Sequence, residues 1–458
     1  MASSALGVVG RERVGYAKRW PMMIAPPPPL GWLIVAVPVL LAGCGGATPA
    51  ESSAAGTPFP GVGTTSDGSS ACGYVDTLSL ERAACGFQVG ARAADTLGDL
   101  AQARSAIQHV IVVVHENHSF DNMFGVTGHG LDGLPPGSSN PNELGGSVSS
   151  FHLTSLCSSD PEHSYEAMHA EYDDGRMDGF VKVTGSVAMG YYDDADHPFF
   201  TWAATTFASS DRNFSAVLGP TWPNRDYLFA GTSNGVTETG ERALDAPTLF
   251  DQLNAAQVPW ADYSNGASPA LQTDLGWTTN PPQIKPYADF AGALASGELE
   301  PVVFVDSGED THDEHPGSDG IDQGERFVSD LVAQAFASPL WGQLAIVFTY
   351  DEGGGFYDHV PPPSACIAAP SETQFDRLGF RIPLIVISPF ARAGYVSHEV
   401  HSLTSITRFI EGLFDLPALT GRDANSDALL DLFDFCEPPF ATPPTTAPAA
   451  TTVVSTCP

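Results

Sequence analysis

An unbroken β-branched run, Val110-Ile-Val-Val-Val114, passes without a spacer into the polar cluster His115-Glu116-Asn117-His118-Ser119. Apolar residues at every position, rather than at every second one, predict a strand buried on both faces. Such strands belong to parallel sheets covered by helices, and ligands of those sheets sit just beyond the strands' carboxyl ends. Glu116 and Asn117 therefore fall where side-chain oxygens can hold a hard cation. A strand entering an ordinary polar loop would look the same if it stood alone. A second run, Leu344-Ala-Ile-Val-Phe-Thr-Tyr350, leads just as directly into Asp351-Glu352-Gly353-Gly354-Gly355. Two strand ends that each carry adjacent oxygen donors are hard to ascribe to loop composition.

The rest of the pattern agrees. Pro301–Asp306 reads as a third strand ending in a carboxylate, and Arg381–Pro389 as a fourth. Val328, Leu331, Val332, Ala335 and Phe336 recur at helical spacing, as do Leu403, Ile406, Ile410, Leu413 and Phe414, with Pro417 as the stop. Strand–helix alternation predicts an α/β fold with a mostly parallel central sheet covered on both faces. The long segments 126–200 and 353–380 exceed ordinary connections and are expected to form functional insertions around the site.

Charge narrows the chemistry. The net charge of −35 excludes nucleic acid as a partner and excludes electrostatic docking on anionic lipid. Lys18, Lys182 and Lys285 are the only lysines. An anionic substrate would need local positive charge from a metal, Arg225 or histidines.

The N-terminus reads as an export signal. Arg11, Arg13, Lys18 and Arg19 precede the apolar stretch Leu30–Gly43, which is short for a membrane span. Leu41-Ala42-Gly43-Cys44 resembles a bacterial lipobox, so residues 1–43 are expected to be removed and Cys44 to carry lipid. The expected location is extracytoplasmic and membrane-anchored, with plain secretion as the second choice. Residues 44–70 read as a flexible linker, 71–104 as a lead-in, 105–436 as the catalytic domain, and 437–458 as an unpacked Pro/Thr-rich tail. With Cys44 set aside, six cysteines remain, a number that suits disulfides outside the cytoplasm. Spacing favours Cys72 with Cys85 and Cys436 with Cys457.

Four motifs then stand in order over residues 105–436: Glu116-Asn-His-Ser-Phe-Asp121, Gly219-Pro-Thr-Trp-Pro-Asn-Arg225, Asp313-Glu-His-Pro316 and Thr349-Tyr-Asp-Glu-Gly-Gly-Gly-Phe-Tyr-Asp-His-Val-Pro-Pro-Pro363. Together they resemble a bacterial phosphoesterase family that includes phosphatidylcholine-type phospholipases C and a respiratory-burst-inhibiting acid phosphatase. That family lies within the alkaline phosphatase-like superfamily. His118 departs from the Arg that many members carry. The long C-terminal extension of several phospholipases C is not seen, so the resemblance carries the reaction further than the phospholipid substrate.

The resemblance implies an alkaline phosphatase-like three-layer sandwich and hydrolysis of phosphoric esters. In similar enzymes a Ser or Thr at the position of Thr221 is the nucleophile, which implies a phosphothreonine intermediate here. By its residues alone Thr221 reads as a helix N-cap, and Ser215 is a weaker nucleophile candidate. Glu116, Asn117, Asp351 and Glu352 form the expected metal set for one divalent ion. Calcium, manganese or magnesium suits oxygen donors, and zinc or iron becomes possible if a histidine joins. His315 is the expected general acid. Asn117, His163, Arg225 and His359 are expected to bind substrate, although Arg225 could instead pair with an acid. The expected substrate is a phosphoester small molecule or a phospholipid. A catalytically inactive surface lipoprotein, binding a partner through the same cleft, is the alternative.

Overall fold

A computed structural model describes residues 74–238, 244–266, 268–270, 273, 281–307, 312–452 and 457. The export signal, the lipobox cysteine Cys44 and the linker lie outside the described residues. No helix among those described is long and apolar enough to cross a membrane.

The run that opened the sequence analysis becomes the central strand. β1 (His109–His115) lies between β6 (Leu344–Tyr350) and β5 (Val302–Asp306), parallel to both. The sheet also contains β2 (Ala208–Ser210), β3 (Trp260–Ser264), β4 (Ile284–Pro286), β7 (Leu384–Ile387) and β8 (Tyr395–Ser397). Its order is β8-β2-β7-β6-β1-β5-β3-β4. β7 alone runs antiparallel to its neighbours β6 and β2. The connection from β6 stays at the carboxyl end of the sheet and brings in no crossover helix, so the chain re-enters in the opposite direction.

Register explains how the layers form. Val113 pairs with Phe348 and His115 with Tyr350, whereas Val112 pairs with Phe304 of β5. Neighbouring residues in register share a face, and successive residues alternate. Phe348 stacks on Phe200 of α1 (Pro198–Thr206) at 4.7 Å, and His115 meets Phe327 of α4 (Ile321–Ala337). On the other face Phe304 packs on Phe229 of α2 (Thr221–Ala230) and on Phe250 of α3 (Leu249–Ala255). Helices thus cover both faces, as continuous apolar strands require. α5 (Leu403–Phe414) packs beside α2. The short β3 escapes sequence reading because Asp262 interrupts its apolar run. Burial raises the carboxyl of Asp262 to about 7.

Three expectations are corrected. Cys85 is bonded to Cys366, not to Cys72, and Cys457 is bonded to Cys157, not to Cys436. Proximity in sequence does not place Cα atoms 5.4–5.6 Å apart, but the fold does so across separations of 281 and 300 residues. The tail is also packed in part. The ring of Phe440 lies 4.4 Å from that of Phe207, Trp341 Nε1 donates to the Phe440 carbonyl, and Thr451 N donates to Glu325. The lead-in helices bury Ala93, Leu97 and Leu100 in the main core, against α5.

Candidate active site

Because β1 and β6 pair His115 with Tyr350, Glu116 and Asp351 leave the sheet at the same level. Alternation turns both away from the α4 face and toward α2. The guanidinium of Arg225 lies between them, with Nη2 donating to Glu116 Oε1 at 3.0 Å and Nε to Asp351 Oδ2 at 3.1 Å. Of the two roles read for Arg225, pairing with acids is the one this geometry contains. Burial works against the charged guanidinium, but Asp351 and Glu116 outweigh it and hold it protonated.

Asn117 follows Glu116 with φ +69°, a left-handed conformation that Asn tolerates better than most residues. This turn brings its amide over the second strand end. Gly354 is the matching requirement: its φ is +62°, and a Cβ there would lie 2.0 Å from the Asn117 carbonyl oxygen. The amide has two orientations. With its oxygen inward, three oxygens converge, those of Asn117, Asp351 and Glu352, and a cation or a protonated carboxyl would satisfy them. Turned over, the amide nitrogen donates to Glu352 Oε1 (2.8 Å) and Asp351 Oδ1 (3.2 Å), and its oxygen accepts from His315 Nε2 (3.0 Å). The second orientation satisfies every group when no ion is present.

The charge balance fits a cation too. Arg225 is paired with Glu116 and Asp351, and Glu352 lies beside Asp351. Burial pushes the carboxyl of Glu116 well above the usual range despite Arg225, and burial with Asp351 alongside does the same to Glu352. Buried acids of this kind are either protonated or neutralised by a bound positive charge. Asn117, Asp351 and Glu352 converge where they would hold a divalent ion, while Arg225 occupies the space between Glu116 and Asp351.

Thr221 is the first residue of α2, and Pro220 is the N-cap. Its hydroxyl is therefore outside the capping position. Residues four apart share a helix face, so Thr221 stands one turn ahead of Arg225. Asn224 shapes this entry by donating to the carbonyls of Gly219 and Pro220 and accepting from Val217 N. Ser215 is fully buried, with its hydroxyl directed to the Val217 carbonyl and Gly379 packed against it.

Two histidines close the cluster. His163 Nε2 lies 3.7 Å from Glu352 Oε1, and His315 Nε2 lies 3.9 Å from Glu116 Oε2. Their ring centroids are 6.0 Å apart. His315 Nδ1 is 2.9 Å from the Pro316 carbonyl, which leaves Nε2 turned toward the site. Asp160, to which the sequence reading assigned no role, lies 3.4 Å from His163 Nδ1. Asp160, His163 and His315 place one ligand atom each within 4.8 Å of one another, so a nitrogen-containing set adjoins the oxygen set. The spacing of Asp160 from His163 on one loop was the available signal. A cavity of about 320 Å³ opens beside them, lined by His163, Tyr165, Glu166 and Pro220 among others.

His359 is not brought into this cluster. Its Nδ1 lies 2.7 Å from Asp121 Oδ2, its Nε2 faces Asp132 at 3.5 Å, and Arg381 joins Asp121 to Asp358. Burial would lower its imidazole, but the hydrogen bond and charge of Asp121 raise it. Its ring partners are Asp121, Asp132 and Arg381 rather than Glu116 or Asp351. The Asp358 carboxylate accepts from Arg381 Nε at 2.8 Å.

The molecule is a hydrolase of phosphoric esters. Residues 107–417 match the Phosphoesterase family, to which the chain belongs. It is 31% identical to non-specific phospholipase C6 of Arabidopsis thaliana over 398 residues, covering 76% of each chain. It is 28% identical to phospholipase C B of Mycobacterium tuberculosis over 415 residues, 74% of this chain and 80% of that one. Among solved structures, a protein in the alkaline phosphatase superfamily from Vibrio parahaemolyticus aligns with a TM-score of 0.34 at 10% identity, over 66% of this chain and 75% of that one.

Proposed function

We propose that the chain is a metal-dependent, phospholipase C-like hydrolase acting through Thr221. The observation that carries the reading is Arg225 bound to Glu116 and Asp351, with Thr221 one helical turn ahead on the same face. The names of the relatives support a phospholipid substrate over a free phosphate monoester. A divalent ion, when bound, would neutralise charge on the phosphoryl oxygens and ease ionisation of the attacking hydroxyl.

The remaining work falls to the chain's own groups. In the first turn of α2, where Pro223 has no N–H and Asn224 N donates to the Pro220 carbonyl, the N–H groups of Thr221 and Trp222 would receive the phosphoryl oxygens. Thr221 Oγ gives up its proton to solvent and attacks phosphorus, forming a phosphothreonine as the bond from phosphorus to the alcohol oxygen breaks. His315 gives its Nε2 proton to the departing alcohol oxygen, then takes a proton from the water that cleaves the intermediate. Arg225 holds the two strand-end acids in place. Phosphatidylcholine vesicles, an aryl phosphocholine and an aryl phosphate monoester test the reading side by side. Diacylglycerol release and diester turnover should exceed monoester turnover by about tenfold or more, a barrier difference of about 1.4 kcal/mol. Monoester turnover alone would assign an acid phosphatase-like role. No turnover with any divalent ion would leave the inactive scaffold.

We also propose that Cys44 is lipidated and tethers the enzyme outside the cytoplasm. The lipobox-like Leu41-Ala42-Gly43-Cys44 and the two disulfides support this location. Cys44→Ser should move the protein from the membrane fraction to the soluble fraction. Unchanged membrane retention would rule out an anchor at this residue.

A further inference from the structure

Behind the acids, on the α4 side of the sheet, is a second buried group that the proposed reaction does not use. Glu314 is fully buried in the 313–316 turn with φ +71°, a conformation sterically disfavoured for a glutamate. Tyr350 Oη donates to Glu314 Oε2, and His115 Nδ1 lies 3.5 Å from Oε1. His118 Nε2 lies 3.0 Å from the Glu314 carbonyl oxygen. α4 makes room for this side chain with Gly324, where a Cβ would lie 2.2 Å from Glu314 Cγ.

Each member is the chain neighbour of a site residue. His115 precedes Glu116, Tyr350 precedes Asp351, and Glu314 precedes His315. Strand alternation sends the acids to one side of the sheet and their neighbours to the other. The backbone joins the same three segments, with Asp351 N donating to the His115 carbonyl (3.0 Å) and Glu116 N to the Asp313 carbonyl (2.8 Å). We propose that Glu314 is a positioning residue: bonded to Tyr350, it holds the 313–316 turn so that His315 Nε2 faces Glu116 and the reacting ester. This rests on the reading of His315 as the general acid.

The test uses the full chain with its disulfides formed. Glu314→Ala should lower kcat on an aryl phosphodiester by about 100-fold with KM nearly unchanged, the size of effect expected from a misplacement of about 1 Å. Glu314→Gln still offers an oxygen to Tyr350 and should keep most of the activity. Tyr350→Phe should reproduce the Ala loss, and the double variant Glu314→Ala/Tyr350→Phe should be no worse than either single one, because the two act as a unit. Additive losses, or a folded Glu314→Ala with normal kcat, would overturn the proposal. Should Glu314→Ala fail to fold, the Gln and Phe variants carry the comparison. Crystal structures of the wild type and of Tyr350→Phe give a readout independent of turnover. The 313–316 turn should shift away from Glu116 in the variant, and an unmoved turn would overturn the positioning role. A wild type with no phosphoesterase turnover would instead refute the proposed function, and the crystallographic comparison would still decide the role of Glu314.

Discussion

Thr221→Ala should abolish turnover, by about 1,000-fold or more, while the protein remains folded. Each tenfold loss corresponds to about 1.36 kcal/mol of barrier, so the expected effect is about 4 kcal/mol on the transition state. The stability effect should be far smaller. Loss of a true N-cap costs about 0.5–2 kcal/mol, and here Pro220 occupies the cap while Thr221 is the first helical residue. The expected change in melting temperature is therefore small. Thr221→Ser keeps a hydroxyl at the same place and should retain part of the activity. Stopping the reaction with acid and sequencing the protein by mass spectrometry should find phosphate on Thr221 in the wild type. A folded Thr221→Ala with near-normal turnover would exclude the nucleophile. Ser215 could replace it only by coming out from beneath Gly379, whose added Cβ would lie 1.9 Å from the Ser215 hydroxyl.

Asp351→Asn should lower turnover on the order of 1,000-fold and also abolish the response of stability to divalent ions. The shape of the side chain is kept, and its oxygen can still accept from Arg225 Nε. What is lost is one negative charge at the point where Asn117, Asp351 and Glu352 converge. Charge neutralisation by a bound ion is worth several kcal/mol in phosphoryl transfer, which sets the expected size. Stability separates this account from a purely structural ion pair. An ion held at 100 times its dissociation constant stabilises the folded state by about 2.7 kcal/mol, or several degrees of melting temperature in a large domain. The wild type should show that rise and Asp351→Asn should not. Without added ion the variant loses part of an ion pair but also a like charge beside Glu352, and these effects oppose each other. An equal response of both proteins to divalent ions would place the ion elsewhere. No response in either would remove the metal from the mechanism.

The residues of the central sheet carried their own instructions. Val110–Val114 is apolar at every position and Leu344–Tyr350 at all but Thr349, and a strand covered on both faces buries that pattern. The strand–helix alternation followed, as did the placement of Glu116, Asn117, Asp351 and Glu352 at the sheet's carboxyl end. α4 and α5 were legible for the same reason, since their apolar residues recur at helical spacing. β2, β3, β4 and β8 were not legible. They are short, and β3 contains the buried Asp262.

Partners across the fold were decided by tertiary structure alone. Register between β1 and β6, and the stacking of residues four apart on α2, turned Arg225 onto Glu116 and Asp351. The same packing brought Asp160 beside His163 and took His359 away to Asp121 and Arg381. It also joined Cys85 to Cys366 and Cys157 to Cys457 across separations of 281 and 300 residues. Local periodicity reports which face of an element is buried, because burial is read one side chain at a time. It does not report which distant side chain lies opposite, and every ion pair, disulfide and positioning bond of this site depends on that.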